Sequence, residues 1–322
     1  MSQQASDVKG KKARKSSAEG KSAKITFTEM KKQAFLMITS FIFLVYGVIF
    51  YYIPLGGWVM AFQNYKPKTG LWHSKWVGLG KFKFLFGDDK FIRVIRNTLA
   101  MGVINLIATF IMAILFAILL NEVRSVLIKK GIQTISYMPH FLSWIIVTGI
   151  LHDALSANGV VNEIISAFGG TPIVFFGETK YFWPLVAFAN VWKETGWNAI
   201  IYLAAITSID PCLYEAASID GAGRLSKILH ITLPSIRPTI MILLLINVGN
   251  VLNAGFEVQY LLGNDVIKSV SDTIDIYVLN WGISQSDFSL GTAAGIFKSV
   301  VSIILIVIAN SMAKRAGEER LF

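Results

Sequence analysis

The chain has 322 residues, 54% of them apolar and 16% charged, against about 45–50% and about 25% in an ordinary soluble domain. The net charge is +10, and a single cysteine, Cys212, excludes an internal disulfide. The apolar excess sits in blocks near the roughly 20 residues that a helix needs to cross a bilayer, so lipid is an expected partner and a soluble globule is excluded.

In chain order, residues 1–34 carry nine Lys/Arg among Ser, Ala and Gly. That composition cannot build a core and reads as a disordered tail beside anionic lipid, with no nucleic-acid partner. A first span is predicted over 35–63, bent at Pro54 and Gly56-Gly57. Segment 64–96 mixes eight Lys/Arg with Trp72, Trp76, Phe82, Phe84 and Phe86 and reads as a folded external loop with a short interfacial helix. Further spans are predicted over 97–120, 132–152, 181–207, 238–261 and 289–313. The expected fold is an all-α membrane protein with six transmembrane helices over 35–313 and tails 1–34 and 314–322. With the N-terminus inside, the inner segments hold 18 Lys/Arg and the outer ones 10, so both termini are expected in the cytoplasm.

The inner loop 208–237 has its own punctuation. Asp210 suits an N-cap and Pro211 a first turn. A short helix Leu213 to Ile219 is expected to end at Gly221 in the left-handed conformation. A second, from about Arg224 to His230, is expected to stop at Pro234 and Pro238. Leu213, Ala216, Ala217, Leu225 and Ile228 give the pair an apolar face that suits a protein partner.

Polar residues inside spans are costly and mark function by default. The fourth span holds Asn190, Trp192, Lys193, Glu194, Trp197 and Asn198. On the fifth, Asn247, Asn250, Asn253 and Glu257 fall on one helical face. Lys298 lies deep in the sixth. Amides bind hydroxyls and rings stack on pyranose faces, so these residues form a candidate pathway for sugar, and the lysines suit an anionic one. The competing role for each is a bond between helices, with Lys193 or Lys298 paired to Glu194 or Glu257. His140 and His152 read as packing residues. No grouping of nucleophile, base or metal ligand suggests an enzyme. No glycine-rich phosphate loop is present to hold nucleotide.

Glu215-Ala216-Ala217, Gly221 preceded by Asp220, and Ile231-x-Leu233-Pro234 at these spacings resemble the EAA loop of the binding-protein-dependent ABC importer permeases of type I, the MalF-like family. The resemblance implies the MalF/MetI-like permease fold, with a coupling helix seated in a groove of an ATPase subunit. It gives Glu215 a polar contact to that subunit, Ala216 and Ala217 close packing, Gly221 the turn, and Asp220 and Pro234 places in the same motif. Tyr137 to Trp144 and Trp192 to Tyr202 resemble the polysaccharide, LplB-like branch. This implies a glycan substrate, acidic and alginate-like. The implied partners are a second permease in a heterodimer, an ABC ATPase dimer and a periplasmic or extracellular solute-binding protein that meets segments 64–96 and 263–288. The location implied is the bacterial inner membrane. No cofactor is expected on this chain, because ATP and Mg would sit on the ATPase. The alternative, an ion-coupled sugar carrier, calls for inverted repeats, and none is evident.

Overall fold

The computed structural model describes residues 33–317. The expected disordered tail falls almost wholly on residues 1–32, outside the described residues, as do 318–322. The chain divides at Gly57. The first unit is the start of helix α1 (Ala34–Phe62), in which Tyr46 and Phe50 lie 4.7 Å apart between ring centroids. Around Pro54 the helix leaves α geometry. A π turn spans Val48–Tyr52 and a 3-10 stretch spans Ile53–Phe62, which accommodates a residue without an N–H.

The second unit begins with a small fold of its own. Gln63 and Asn64 pair antiparallel with Trp76 and Lys75, and α2 (Gly80–Gly87) follows. Phe62 stacks on Trp76 at 5.9 Å and meets Phe82 at 5.5 Å. Lys81 Nζ bonds Asp287 at 2.8 Å, which ties α2 to the start of the last span.

Helix α3 (Asp89–Asn121) is capped by the Asp88 carboxylate, which accepts from Lys90 N. It packs along α7 (Thr179–Thr207). Lipid is as apolar as leucine, so helices in it associate through close approach and small residues. Ala113, Ala117 and Ala199 supply these in a cluster with Tyr202, Ile206 and Ile236. At the other end Phe91, Val94, Ile274 and Leu290 form a second cluster.

The third span departs from 132–152. α4 (Val126–Tyr137) ends where Pro139 removes a donor. Ser143 then caps α5 (Trp144–Leu155), and α6 (Val160–Ala167) follows. The apolar stretch long enough to cross a membrane is therefore 144–167. After α7 the chain turns by 69° into α8 (Pro211–Ile219).

The fifth span departs at both ends. Pro234 and Pro238 do not stop the helix. Arg224–Lys227 passes through a π turn at Ile228–Thr232 into Leu233–Gly249, so that α9 runs over Arg224–Gly249. The wider turn re-registers the hydrogen bonds just ahead of Pro234. The helix then ends twelve residues early, at Gly249 rather than 261. Residues 250–255 are irregular and α10 (Phe256–Leu262) starts afresh. Gln259 Nε2 donates to Ala254 O and holds this break. α11 (Phe288–Arg315) is the last span, capped by Asp287. Five helices are long and apolar enough to cross a membrane, and α7 with α8 brings the number to six.

Candidate translocation cavity and coupling loop

The break after α9 makes a cavity. Gly102 lets α3 approach it: a Cβ there would lie 1.9 Å from Val251 O, so no other residue fits without moving the backbone. A cavity of about 380 Å³ opens between α3, α7 and this break. Six asparagines line it: Asn105, Asn190, Asn198, Asn247, Asn250 and Asn253. Residues 250 and 253 reach it from irregular backbone, not from the helical face predicted for them. Irregular backbone at membrane depth is tolerated where it lines a cavity.

The amides are braced within their own segments. Asn190, Asn247 and Asn250 each donate Nδ2 to the carbonyl four residues before, at 2.8–3.1 Å. Asn253 donates to Asn250 Oδ1. A braced amide keeps one N–H and, at Asn190 and Asn247, a carbonyl oxygen with open lone pairs. Asn105 Oδ1 is buried with no partner among the described residues. The free N–H and carbonyl groups of the braced amides can donate to and accept from hydroxyls.

Glu194 is the one charged residue among those lining the cavity, and it is restrained. His140 Nδ1 lies 2.8 Å from Glu194 Oε2, and the His140 ring stacks on Trp197 at 4.4 Å with planes within 1°. Lys193, 5% exposed, donates to His140 O at 2.6 Å and lies 3.5 Å from Glu194 Oε1 and 5.4 Å from the Trp144 ring centre. The turn that displaces the third span thus places His140 against α7.

Of the eleven predicted pathway residues, the structure brings together Asn190, Glu194, Asn198, Asn247, Asn250 and Asn253. Trp192, Lys193, Trp197, Glu257 and Lys298 do not line this cavity. Lys193 and Trp197 stand behind Glu194. Glu257 is exposed in the first turn of α10, because the break rotates it off the face of Asn247. Lys298 is held by Asp275 at 2.7 Å. Asn105 and Thr109, with Phe110, were missed on α3. Two polar residues four apart in an apolar span carry the same signal as those on the fourth and fifth.

The predicted coupling residues lie together at the other end. The Asp210 carboxylate caps α8 through Cys212 N at 2.9 Å. Gly221 has φ +78°, and Ala222 N to Ala217 O with Gly221 N to Ser218 O makes a Schellman end. Tyr214 Oη lies 2.9 Å from Thr232 Oγ1, and Lys227 Nζ donates to Ser218 Oγ at 2.6 Å. These two ties fix α8 against the start of α9. Glu215, Ala216, Asp220 and Pro234 are exposed. Ile228 turns inward onto the Ala199 cluster, while Leu213, Ile219, Leu225 and Leu229 face out.

Residues 107–317 match the model of the binding-protein-dependent transport system inner membrane components. The chain belongs to this family. This permease is 46% identical over 279 residues to the polygalacturonan/rhamnogalacturonan transport system permease protein YteP of Bacillus subtilis (strain 168), covering 86% of this chain and 87% of that one. It is 44% identical to protein LplB of the same organism, covering 91% and 92%. Among solved structures it resembles a chain of a bacterial ABC transporter involved in the import of the acidic polysaccharide alginate. There the TM-score is 0.83 and the identity 39%, over 89% of this chain and 98% of that one. A bacterial alginate ABC transporter in complex with an alginate pentasaccharide-bound periplasmic protein gives 0.85 at 38% identity, over 92% and 100%. The chain is thus a multi-pass membrane permease with the MalF-like fold.

Proposed function

We propose that this permease carries an acidic oligosaccharide or polysaccharide, of the uronic-acid kind named for its relatives, into the cytoplasm. The observation that carries the sugar reading is the cavity lined by Asn105, Asn190, Asn198, Asn247, Asn250 and Asn253 at the interruption of α9, and the acidic class is taken from the polygalacturonan and alginate systems of its relatives. Such a ring of amides passes hydroxyls without holding them tightly. In this reading the termini and α8 face the cytoplasm, where Glu215, Ala216, Ala217, Asp220, Gly221 and Pro234 meet an ATPase dimer. That dimer binds the ATP and Mg and performs the hydrolysis. A second, different permease completes the pathway, and a solute-binding protein delivers glycan from outside. The rigid link of α8 to α9 supports the coupling, since motion of the docked helix moves the helix that ends at the cavity. The test is ATP hydrolysis by the reconstituted complex with binding protein. Oligogalacturonides or oligoalginates should stimulate it, and stimulation by neither would overturn the reading. Uptake driven by an ion gradient without ATP would favour the ion-coupled carrier.

A further inference from the structure

The cavity poses a charge problem: among the described residues lining it there is one carboxylate and no cation. Both intramembrane lysines are committed, Lys193 to His140 O and Glu194, and Lys298 to Asp275. An acidic glycan meets no positive charge there. Cations converge elsewhere. A pocket of about 510 Å³ lies between the first two turns of α3 and segment 268–285, within the range of about 300–1,000 Å³ usual for small-ligand sites. Lys90, Arg93 and Lys268 line it, with Trp281, Tyr277 and the amide of Asn280.

Three features make this a built site. First, Lys90, Arg93 and Arg96 recur at three-residue spacing on the opening turns of a 33-residue helix, just after the capping Asp88 and first-turn Asp89. Second, the wall is braced. Buried Asn97 donates to Ser269 O at 3.1 Å and Asp272 O at 3.0 Å, and Arg96 bonds Asn97 Oδ1 and Ser269 O. Third, Tyr277 and Trp281 are stacked at 5.9 Å, which gives an aromatic wall beside the cations. One carboxylate opposes them. Burial pushes the Asp272 carboxyl up, although Lys268 and Arg93 pull it down. Lys268 also bonds exposed Asp265 at 3.2 Å. Lys90, Arg93 and Lys268 line the pocket against Asp272 as its one lining carboxylate, while Asp265 lies on Lys268 and Asp88 accepts from Tyr277 Oη at 3.4 Å beside it.

We infer that this pocket is a uronate-binding site at the mouth of the pathway, with Arg93, Lys90 and Lys268 taking the carboxylate and Trp281 the sugar face. Acid selection is then made at the mouth and hydroxyl passage in the cavity. The inference rests on the reading of the chain as an acidic-glycan permease. A concave pocket with aromatic and amide walls fits a sugar ring better than the flat contact of a protein surface.

The test uses the purified complete importer without binding protein. Tetragalacturonate and its fully methyl-esterified counterpart share rings and hydroxyls and differ at the carboxyl groups, which are anionic in one and neutral methyl esters in the other. Titration calorimetry should show the acid binding roughly tenfold or more tightly than the ester, as charged hydrogen bonds allow. Arg93→Gln with Lys268→Gln should bring the two affinities together, and Arg93→Lys with Lys268→Arg should restore most of the difference. An unchanged acid-to-ester ratio in the Gln variant overturns the site. So does a variant that loses only docking of ligand-free binding protein, which would make the pocket a protein contact. Docking of the binding protein and glycan-stimulated ATP hydrolysis, both measured on the same preparations after binding protein is added, separate the two failures. If stimulation persists while the ratio is unchanged, only the pocket is refuted. If no glycan stimulates wild type, the proposed function falls.

Discussion

Lys298 closes on both oxygens of Asp275, at 2.7 and 2.8 Å, from ten residues beyond Phe288 at the start of the last span. A lysine at that depth looked like a contact for an acidic substrate. Its partner lies on the short turn Ile274–Tyr277, which sequence reading leaves inside a long outer segment. The pair is part-exposed, with side-chain exposures of 17% and 31%, so its contribution lies between that of surface and buried pairs, about 1–2 kcal/mol.

Lys298→Gln should therefore lower the melting temperature of the detergent-solubilised complex. Lys298→Gln with Asp275→Asn should recover most of that loss. Neither variant should alter the ratio of acidic to neutral glycan transport. A selective loss of acidic transport would return Lys298 to the pathway.

His140 restrains Glu194 at the cavity wall. His140→Phe keeps a ring on Trp197 but removes the bond to the carboxylate. The bond is worth about 1.5–3 kcal/mol as a charge-assisted contact, and the stack about 0.5–1.5. The released carboxylate should repel an acidic glycan and slow its transport several-fold, with little effect on a neutral one. Glu194→Gln in the same background should restore the acidic rate. Parallel losses for both glycans would mean that His140 serves packing alone.

At the coupling loop, Gly221→Val forces a branched residue to φ +78°, at about 1–2 kcal/mol. The Schellman end should open and α8 tilt. Membrane levels should hold, while glycan-stimulated hydrolysis falls sharply. Glu215→Ala should weaken ATPase co-purification without changing the helix. Normal stimulation in both would remove the loop from coupling.

Much of this was legible from residues alone, and the reasons differ by element. The coupling loop is governed by local chemistry: an Asp210 cap, a glycine end and alanines for close contact. Local rules therefore reached it. The spans are legible by length because lipid sets one requirement. What failed is non-local. Pro234 and Pro238 signal a stop, yet a π turn four residues earlier absorbs them. Nothing apolar in 238–261 announces the break after Gly249, which depends on Gly102 of a distant helix leaving room for Val251 O. Lys193 does meet its sequence neighbour Glu194, as the competing reading expects, but His140 O and, for Lys298, Asp275 are partners that only the fold brings near. Asn105 and Thr109 stand out as polar residues in an apolar span, but their place in the pathway shows only where the break after Gly249 opens a cavity beside them.

Gly102→Leu tests that dependence. Its side chain would collide with the 250–255 backbone, so assembly or thermal stability should drop by about 2 kcal/mol or more, as for overpacking. Gly295→Leu on α11, with open space around the Cβ, is the matched control and should be tolerated. Equal tolerance of both would deny the close approach.

The central claim is that glycan passes the asparagine cavity. The most direct measurement is ATP-dependent uptake of a labelled oligogalacturonide by proteoliposomes holding the complete importer with Asn250→Leu and Asn105→Leu. Two lost amide contacts should cut uptake by about tenfold or more, with the ATPase still bound and basal hydrolysis retained. Uptake at the wild-type rate would contradict the account.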